Sequence, residues 1–137
     1  GRNMFGPIRG EWDEGWLGWW GAEPPYHAPV FVLSHYAREP LEMEGGTTFY
    51  FVTGGFDAAY AQAREVAGDK GGDLAGGAAA VRQARLAAGT AGLPLDNVPV
   101  LVGSGERLFD GIESFPFEPV EAVNTPLATH VRYRRLR

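Results

Sequence analysis

The run Pro29-Val30-Phe31-Val32-Leu33-Ser34 is apolar and β-branched, bounded by proline and polar residues, and it predicts a buried strand with Ser34 and His35 at its carboxyl end. Thr47 to Val52 predicts a second strand. The period then changes: from Phe56 to Ala67, Phe56, Tyr60 and Ala63 fall on one face of a helix, which Gly68 to Asp73 breaks. Ala78 to Ala88 predicts a second helix closed by Gly89, and Val98 to Val102 another buried strand leading into Gly103-Ser104-Gly105. Near the carboxyl end, residues 118–123 and 128–134 alternate like paired antiparallel strands. This order suits an α/β sheet with an antiparallel edge. Ligands of such sheets sit outside the carboxyl ends of the parallel strands, where Ser34 and the Gly76-Gly77 turn would both lie.

Leu74-Ala75-Gly76-Gly77-Ala78 carries a glycine pair where an apolar approach meets a helix-forming run. Glycines let backbone amides approach an anion, and the first turn of the next helix adds unpaired N–H donors and the positive end of its dipole. Each such contact is worth about 0.3–1 kcal/mol, so several must converge on one pyrophosphate. A tight turn needing positive φ accounts for the same glycines. Trp12, Trp16, Trp19 and Trp20 are spaced like one face of a helix. They read as hydrophobic cover over a core edge or a dimer contact, or as an aromatic lid over a flat heterocycle; the glycines between them weaken the helix.

Composition narrows the chemistry. With no cysteine there is no disulfide, thiolate metal site or thiol nucleophile, and the composition fits a reducing cytoplasm. His27, His35 and His130 lack ligand spacing, so no structural metal is expected. A net charge of −5 argues against a general polyanion surface and against nucleic acid, while leaving room for a local basic pocket that takes one phosphate. No apolar run reaches the roughly 18–20 residues that span a bilayer, so no membrane association is expected. Asp110, Glu113, Glu118 and Glu121 have no spacing that identifies an acid/base pair. Arg132, Arg134, Arg135 and Arg137 read as an edge strand guarded by charge, with a phosphate patch as the alternative. The 137 residues suit one domain, and the opening Gly1-Arg2-Asn3-Met4-Phe5 reads as the start of a truncated one.

Four segments then follow one another in a family order: Gly1-Arg2-Asn3-Met4-Phe5, Phe31-Val32-Leu33-Ser34-His35, Gly76-Gly77 opening a helix, and Pro99-Val100-Leu101-Val102-Gly103-Ser104-Gly105-Glu106-Arg107-Leu108-Phe109. Together they resemble the dihydrofolate reductase-like superfamily, in the branch similar to the reductase domain of the bifunctional riboflavin-biosynthesis deaminase-reductase. The resemblance implies a mostly parallel mixed sheet flanked by helices, with antiparallel C-terminal edge strands and the family's first strand outside this sequence. It also implies NADPH as cofactor, a small heterocyclic or carbonyl-bearing substrate taking the hydride, and a homodimer. Gly1 and Arg2, with Asn3 and Met4, would approach the cofactor phosphates. Ser34 with His35 would meet the adenosine 2′-phosphate, and Gly76, Gly77 and Ala78 the pyrophosphate. A guanidinium, a hydroxyl and a helix N-terminus each suit phosphate oxygens. Arg2 as a solvated surface charge and Ser34 as a strand-ending cap are the plain alternatives.

The chain departs from the family at Ala75, where a third glycine is usual, and at Gly89 to Asn97, where Gly92 and Pro94 interrupt an expected strand. These departures favour a rival reading, a non-catalytic remnant that keeps the scaffold.

Overall fold

Residues Pro29–Leu33 form strand β1, Leu41–Glu42 the short β2 and Thr48–Val52 β3. The structure, a computed structural model, describes residues 1–86, 92–111 and 116–136. It divides into two units, Gly1–Ala80 and Val81–Arg137. In the first, β3 is the middle strand: β1 pairs with it in parallel, Phe31 opposite Tyr50, and β2 pairs antiparallel on its other side. Parallel neighbours need a long connection. Residues 34–47 supply it, and the turn Glu44–Gly46, with Gly45 at φ +70°, folds β2 back onto β3. Thr47 closes this turn from inside. Its Oγ1 donates to the Pro24 carbonyl at 3.2 Å and accepts from the His27 N–H at 3.0 Å, with the side chain fully buried.

Strand alternation puts Phe49 and Phe51 on one face of β3. Phe5, at the end of the short helix α1 (Arg2–Phe5), meets both rings edge-on at 5.1 Å. Trp20 stacks on Phe49 at 5.6 Å and Trp12 meets Phe51 at 4.8 Å. Phe5, Val32 and Phe49 are the buried centre of this cluster, and full burial of each aromatic side chain contributes about 1.5–3 kcal/mol.

The helix expected from the tryptophan spacing does not form over residues 11–20. Gly10 and Gly18 take φ +76° and +99°, and two left-handed residues end any helical run. The tryptophans still cover the core edge: Trp12, Trp16 and Trp20 pack against it, while Trp19 stays exposed. The indole N–H groups of Trp16 and Trp12 donate to the Phe5 carbonyl at 3.0 Å and the Tyr36 carbonyl at 2.9 Å. Gly6 has ordinary extended backbone, but a Cβ there would enter the Trp16 indole, 2.9 Å from Cδ1. Gly6→Ala is therefore expected to lower stability by about 1–3 kcal/mol in urea titration. An unchanged midpoint would mean that Trp16 is not seated against the chain.

Helix α2 (Gly55–Ala67) matches the expected span and packs on β1 and β3. It buries Phe56 and Ala59, and Phe56 stacks on Tyr60 one turn later at 5.9 Å. Gly68, at φ +56°, ends it by donating to the Arg64 carbonyl. Helix α3 runs Ala78–Leu86; the expected continuation through Ala88 to Gly89 lies outside the described residues.

The second unit holds a three-stranded antiparallel sheet, β4 (Gly92–Asn97), β5 (Phe117–Asn124) and β6 (Thr129–Arg135), in the order β4-β6-β5. The antiparallel pair expected near the carboxyl end is present. The register shifts between Pro119 and Glu121, leaving Val120 as a bulge. Three expectations are corrected here. Gly92 and Pro94 do not interrupt a strand but lie within β4, because among the described strands β4 is an edge, where a missing N–H is tolerated. Val98 to Val102 forms no strand: pairing with β6 stops at Asn97 opposite Thr129, beyond which the partner chain turns away through Thr125–Ala128, and Val100, Leu101 and Val102 stay exposed. Arg132, Arg134 and Arg135 lie on no edge strand: among the described strands β6 is the middle one, with Arg132 paired to Glu121 at 3.0 Å and Arg134 to Glu118 at 2.5 Å on β5, while Arg137 lies outside the described residues.

The sheets are accordingly small and predominantly antiparallel, not mostly parallel: among the described residues β1 with β3 is the one parallel pairing. Both reasons are local. The β1–β3 connection contributes its own antiparallel strand, and residues 98–102 do not extend the parallel set. No described helix is long and apolar enough to cross a membrane.

Candidate functional site

The start of α1, the end of β1 and the glycine turn before α3 come together in the first unit. The Gly1 nitrogen donates to the Gly76 carbonyl at 2.8 Å. Gly76 has φ +115°, a conformation that L side chains rarely adopt, and a Cβ on Gly76 or Gly77 would meet no atom within 4 Å. The turn is thus an open glycine surface leading directly into α3 at Ala78.

Arg2 turns inward from α1. Its guanidinium lies 3.9 Å from the centre of the Trp12 ring and 5.2 Å from that of Tyr36. One terminal nitrogen donates to the Gly10 carbonyl, the other to that of Glu11 at 3.2 Å, and the buried Nε has no hydrogen-bond partner. Stacking of a guanidinium on an indole is worth about 0.5–2 kcal/mol. It leaves the edge of the fork for hydrogen bonds, two of which go here to the Gly10 and Glu11 carbonyls.

Ser34 follows the last residue of β1 and is nearly buried. Its backbone N–H continues the ladder to the Val52 carbonyl, while its hydroxyl donates to the Tyr36 carbonyl at 2.9 Å and accepts from the Tyr36 N–H at 3.0 Å. The hydroxyl therefore closes its own turn, as the strand-cap reading expected, and keeps an acceptor lone pair. The Tyr36 carbonyl also receives the Trp12 indole N–H, so Ser34, Tyr36, Trp12 and Arg2 form one connected group. His35, Asn3 and Met4 are exposed beside it.

Of the residues singled out in the sequence, the fold joins Gly1 to Gly76 directly and Arg2 to Ser34 through Trp12 and Tyr36. Gly77 and Ala78 follow in the chain. Sequence reasoning missed Tyr36 and Arg38. The Arg38 side chain is only 3% exposed, and its guanidinium donates to the Trp16 carbonyl at 2.9 Å and the Glu14 carbonyl at 3.1 Å. Four backbone carbonyls of residues 10–16 thus face two guanidiniums. The two guanidiniums thereby hold the turn of residues 10–16. No signal of period marks either residue. Among the described residues no three of His, Asp and Glu are placed to hold a metal.

The arrangement is a small α/β fold in which Gly1 meets Gly76 and Arg2 is linked to Ser34 through Trp12 and Tyr36. Similarity to a known structure agrees: a crystal structure from Shewanella sp. PV-4, described as a "putative riboflavin biosynthesis protein", superposes with a TM-score of 0.60 at 22% identity over 82% of this chain. The match shows a shared fold, and the chain spans 63% of that protein's length. The sequence matches no protein-family model and no curated protein.

Proposed function

We propose that this chain is the cofactor-binding part of an NADPH-dependent reductase of the riboflavin-biosynthesis type, which transfers a hydride to a small heterocyclic or carbonyl-bearing substrate. One observation carries the reading: Gly1 with Gly76, and Arg2 with Ser34 through Trp12 and Tyr36, converge in a fold shared with a protein named for riboflavin biosynthesis. The residues suit the cofactor. The open, positive-φ Gly76 admits a phosphate close to the backbone, α3 begins just beyond it, and the unpartnered Nε of Arg2 lies in the same region of the fold.

NADPH, when bound, supplies the hydride, and the protein's work is binding, orientation and exclusion of water. Gly76, Gly77 and Ala78 would hold the pyrophosphate and Arg2 a phosphate oxygen. The Ser34 turn, with His35 at its exposed side, would face the adenosine end. Trp12 fixes the plane of the Arg2 fork.

Titration with NADPH and with NADH, followed by tryptophan fluorescence, tests the reading. Saturable binding that is tighter for NADPH is expected, and Arg2→Ala should weaken it about 10- to 100-fold, the range for losing charge-assisted hydrogen bonds. Equal affinity for the two dinucleotides, or an unchanged Arg2→Ala, would refute the assignment. A second reading, a scaffold without cofactor affinity, is favoured by the bonds that Ser34 and Arg2 make to the chain's own carbonyls. No saturable binding by the folded chain would establish it.

A further inference from the structure

We infer that Arg38 is a positioning residue that sets the Trp12 indole, and through it the Arg2 guanidinium, in place. The inference rests on the cofactor reading only for its consequence on binding. Its geometric part stands alone.

Arg38 lies on the β1–β2 connection and reaches across to a segment more than twenty residues earlier. Its two terminal nitrogens grip the carbonyls of Trp16 and Glu14, and its Nε lies 3.6 Å from the Glu14 carboxylate. The guanidinium lies 5.5 Å from the centre of Trp12, 5.2 Å from Phe51 and 5.8 Å from Phe5. A buried charge is costly to keep unless fully paired. Here the one carboxylate partner is 80% exposed, and water weakens the attraction it can offer. An apolar residue of similar volume would fill the space more cheaply, so bulk alone does not explain an arginine.

What only a planar fork does is hold two carbonyls at once while lying beside aromatic rings. That grip fixes the turn following Trp12. Trp12 is also pinned by the bond from its Nε1 to the Tyr36 carbonyl at 2.9 Å, and its ring takes Arg2 at 3.9 Å. Arg38 and Tyr36 therefore both hold the indole, and two guanidiniums share one ring. Loosening Arg38 frees the turn, lets the indole rotate, and leaves Arg2 without a fixed plane.

Indole N–H signals of nitrogen-labelled protein, with Trp12 assigned by Trp12→Phe, give the decisive test together with NADPH titration. Arg38→Lys keeps the charge but cannot hold both carbonyls. It should leave cooperative unfolding intact, shift the Trp12 signal, speed its hydrogen exchange and weaken NADPH about fivefold, while adding little in the Trp12→Phe background. A residue that merely fills space would leave the Trp12 signal where it was, and that result would overturn the inference. So would a loss of NADPH affinity equally large without Trp12. If wild-type protein binds no NADPH yet Arg38→Lys moves Trp12, the positioning role stands and the cofactor reading falls. Should Arg38→Lys fail to fold, Arg38→Met decides: it fills the space with an apolar chain that holds neither carbonyl, and a Trp12 signal unmoved by it would overturn the inference.

Discussion

Phe49→Ala is expected to lower the unfolding free energy by about 3–5 kcal/mol, enough to leave the first unit largely unfolded at 37 °C. Phe49 has no exposed surface, lies on the middle strand β3, and touches Phe5, Trp20 and Tyr26 with ring centres 5.1–6.2 Å apart. Three of its neighbours are large rings attached to separate stretches of chain. They cannot collapse together into the vacated space without moving α1 and the tryptophan segment, so the cavity term adds to the lost transfer energy. Denaturant titration by far-UV circular dichroism measures the effect. A loss below about 1 kcal/mol would show that the site repacks and that Phe49 is not the centre of the cluster.

Thr47→Val should cost about 2–4 kcal/mol despite its nearly unchanged shape. The substitution leaves the Pro24 carbonyl, buried with Thr47, without its donor and removes the acceptor of the His27 N–H. His27 sits at φ +47°, unusual for a side chain with a Cβ, and Thr47 holds the segment there from below. Thr47→Ser keeps both bonds and should lose only about 1 kcal/mol for its methyl group. Equal midpoints for the Val and Ser variants would assign the effect to packing and not to the hydroxyl.

Sequence reading succeeded where the determinant was local. The period of Phe56 and Tyr60 and the closing Gly68 were enough for α2, and the alternation around Glu121 and Val131 was enough for β5 and β6. It failed where tertiary partners decide. Val98 to Val102 has a strand's composition but meets no partner strand among the described residues, whereas Gly92-Leu93-Pro94-Leu95 has a poor one and pairs because β6 lies beside it. The same division runs through the site. Arg2, Ser34 and Gly76 could be proposed as candidates from their chemistry and from the resemblance. Arg38 acts on residues 22 and 24 positions away, and Trp12 on Tyr36 across 24, separations at which no local pattern survives. The stripe of tryptophans predicted the cover that Trp12, Trp16 and Trp20 give the core edge, though not the exposed Trp19, and it did so through the wrong geometry, since a glycine-turned loop can present rings as a helix face does.

Every tryptophan of the chain lies between positions 12 and 20, inside the first unit, and residues 81–137 contain none. The protein is therefore labelled by nature on one side of its division. A melting curve followed by indole emission is a curve for residues 1–80, whereas the peptide signal in the far ultraviolet sums both units. Coincident transitions from the two optical probes would mean that the units melt as one cooperative body. Separated transitions would resolve their two stabilities from a single unmodified sample.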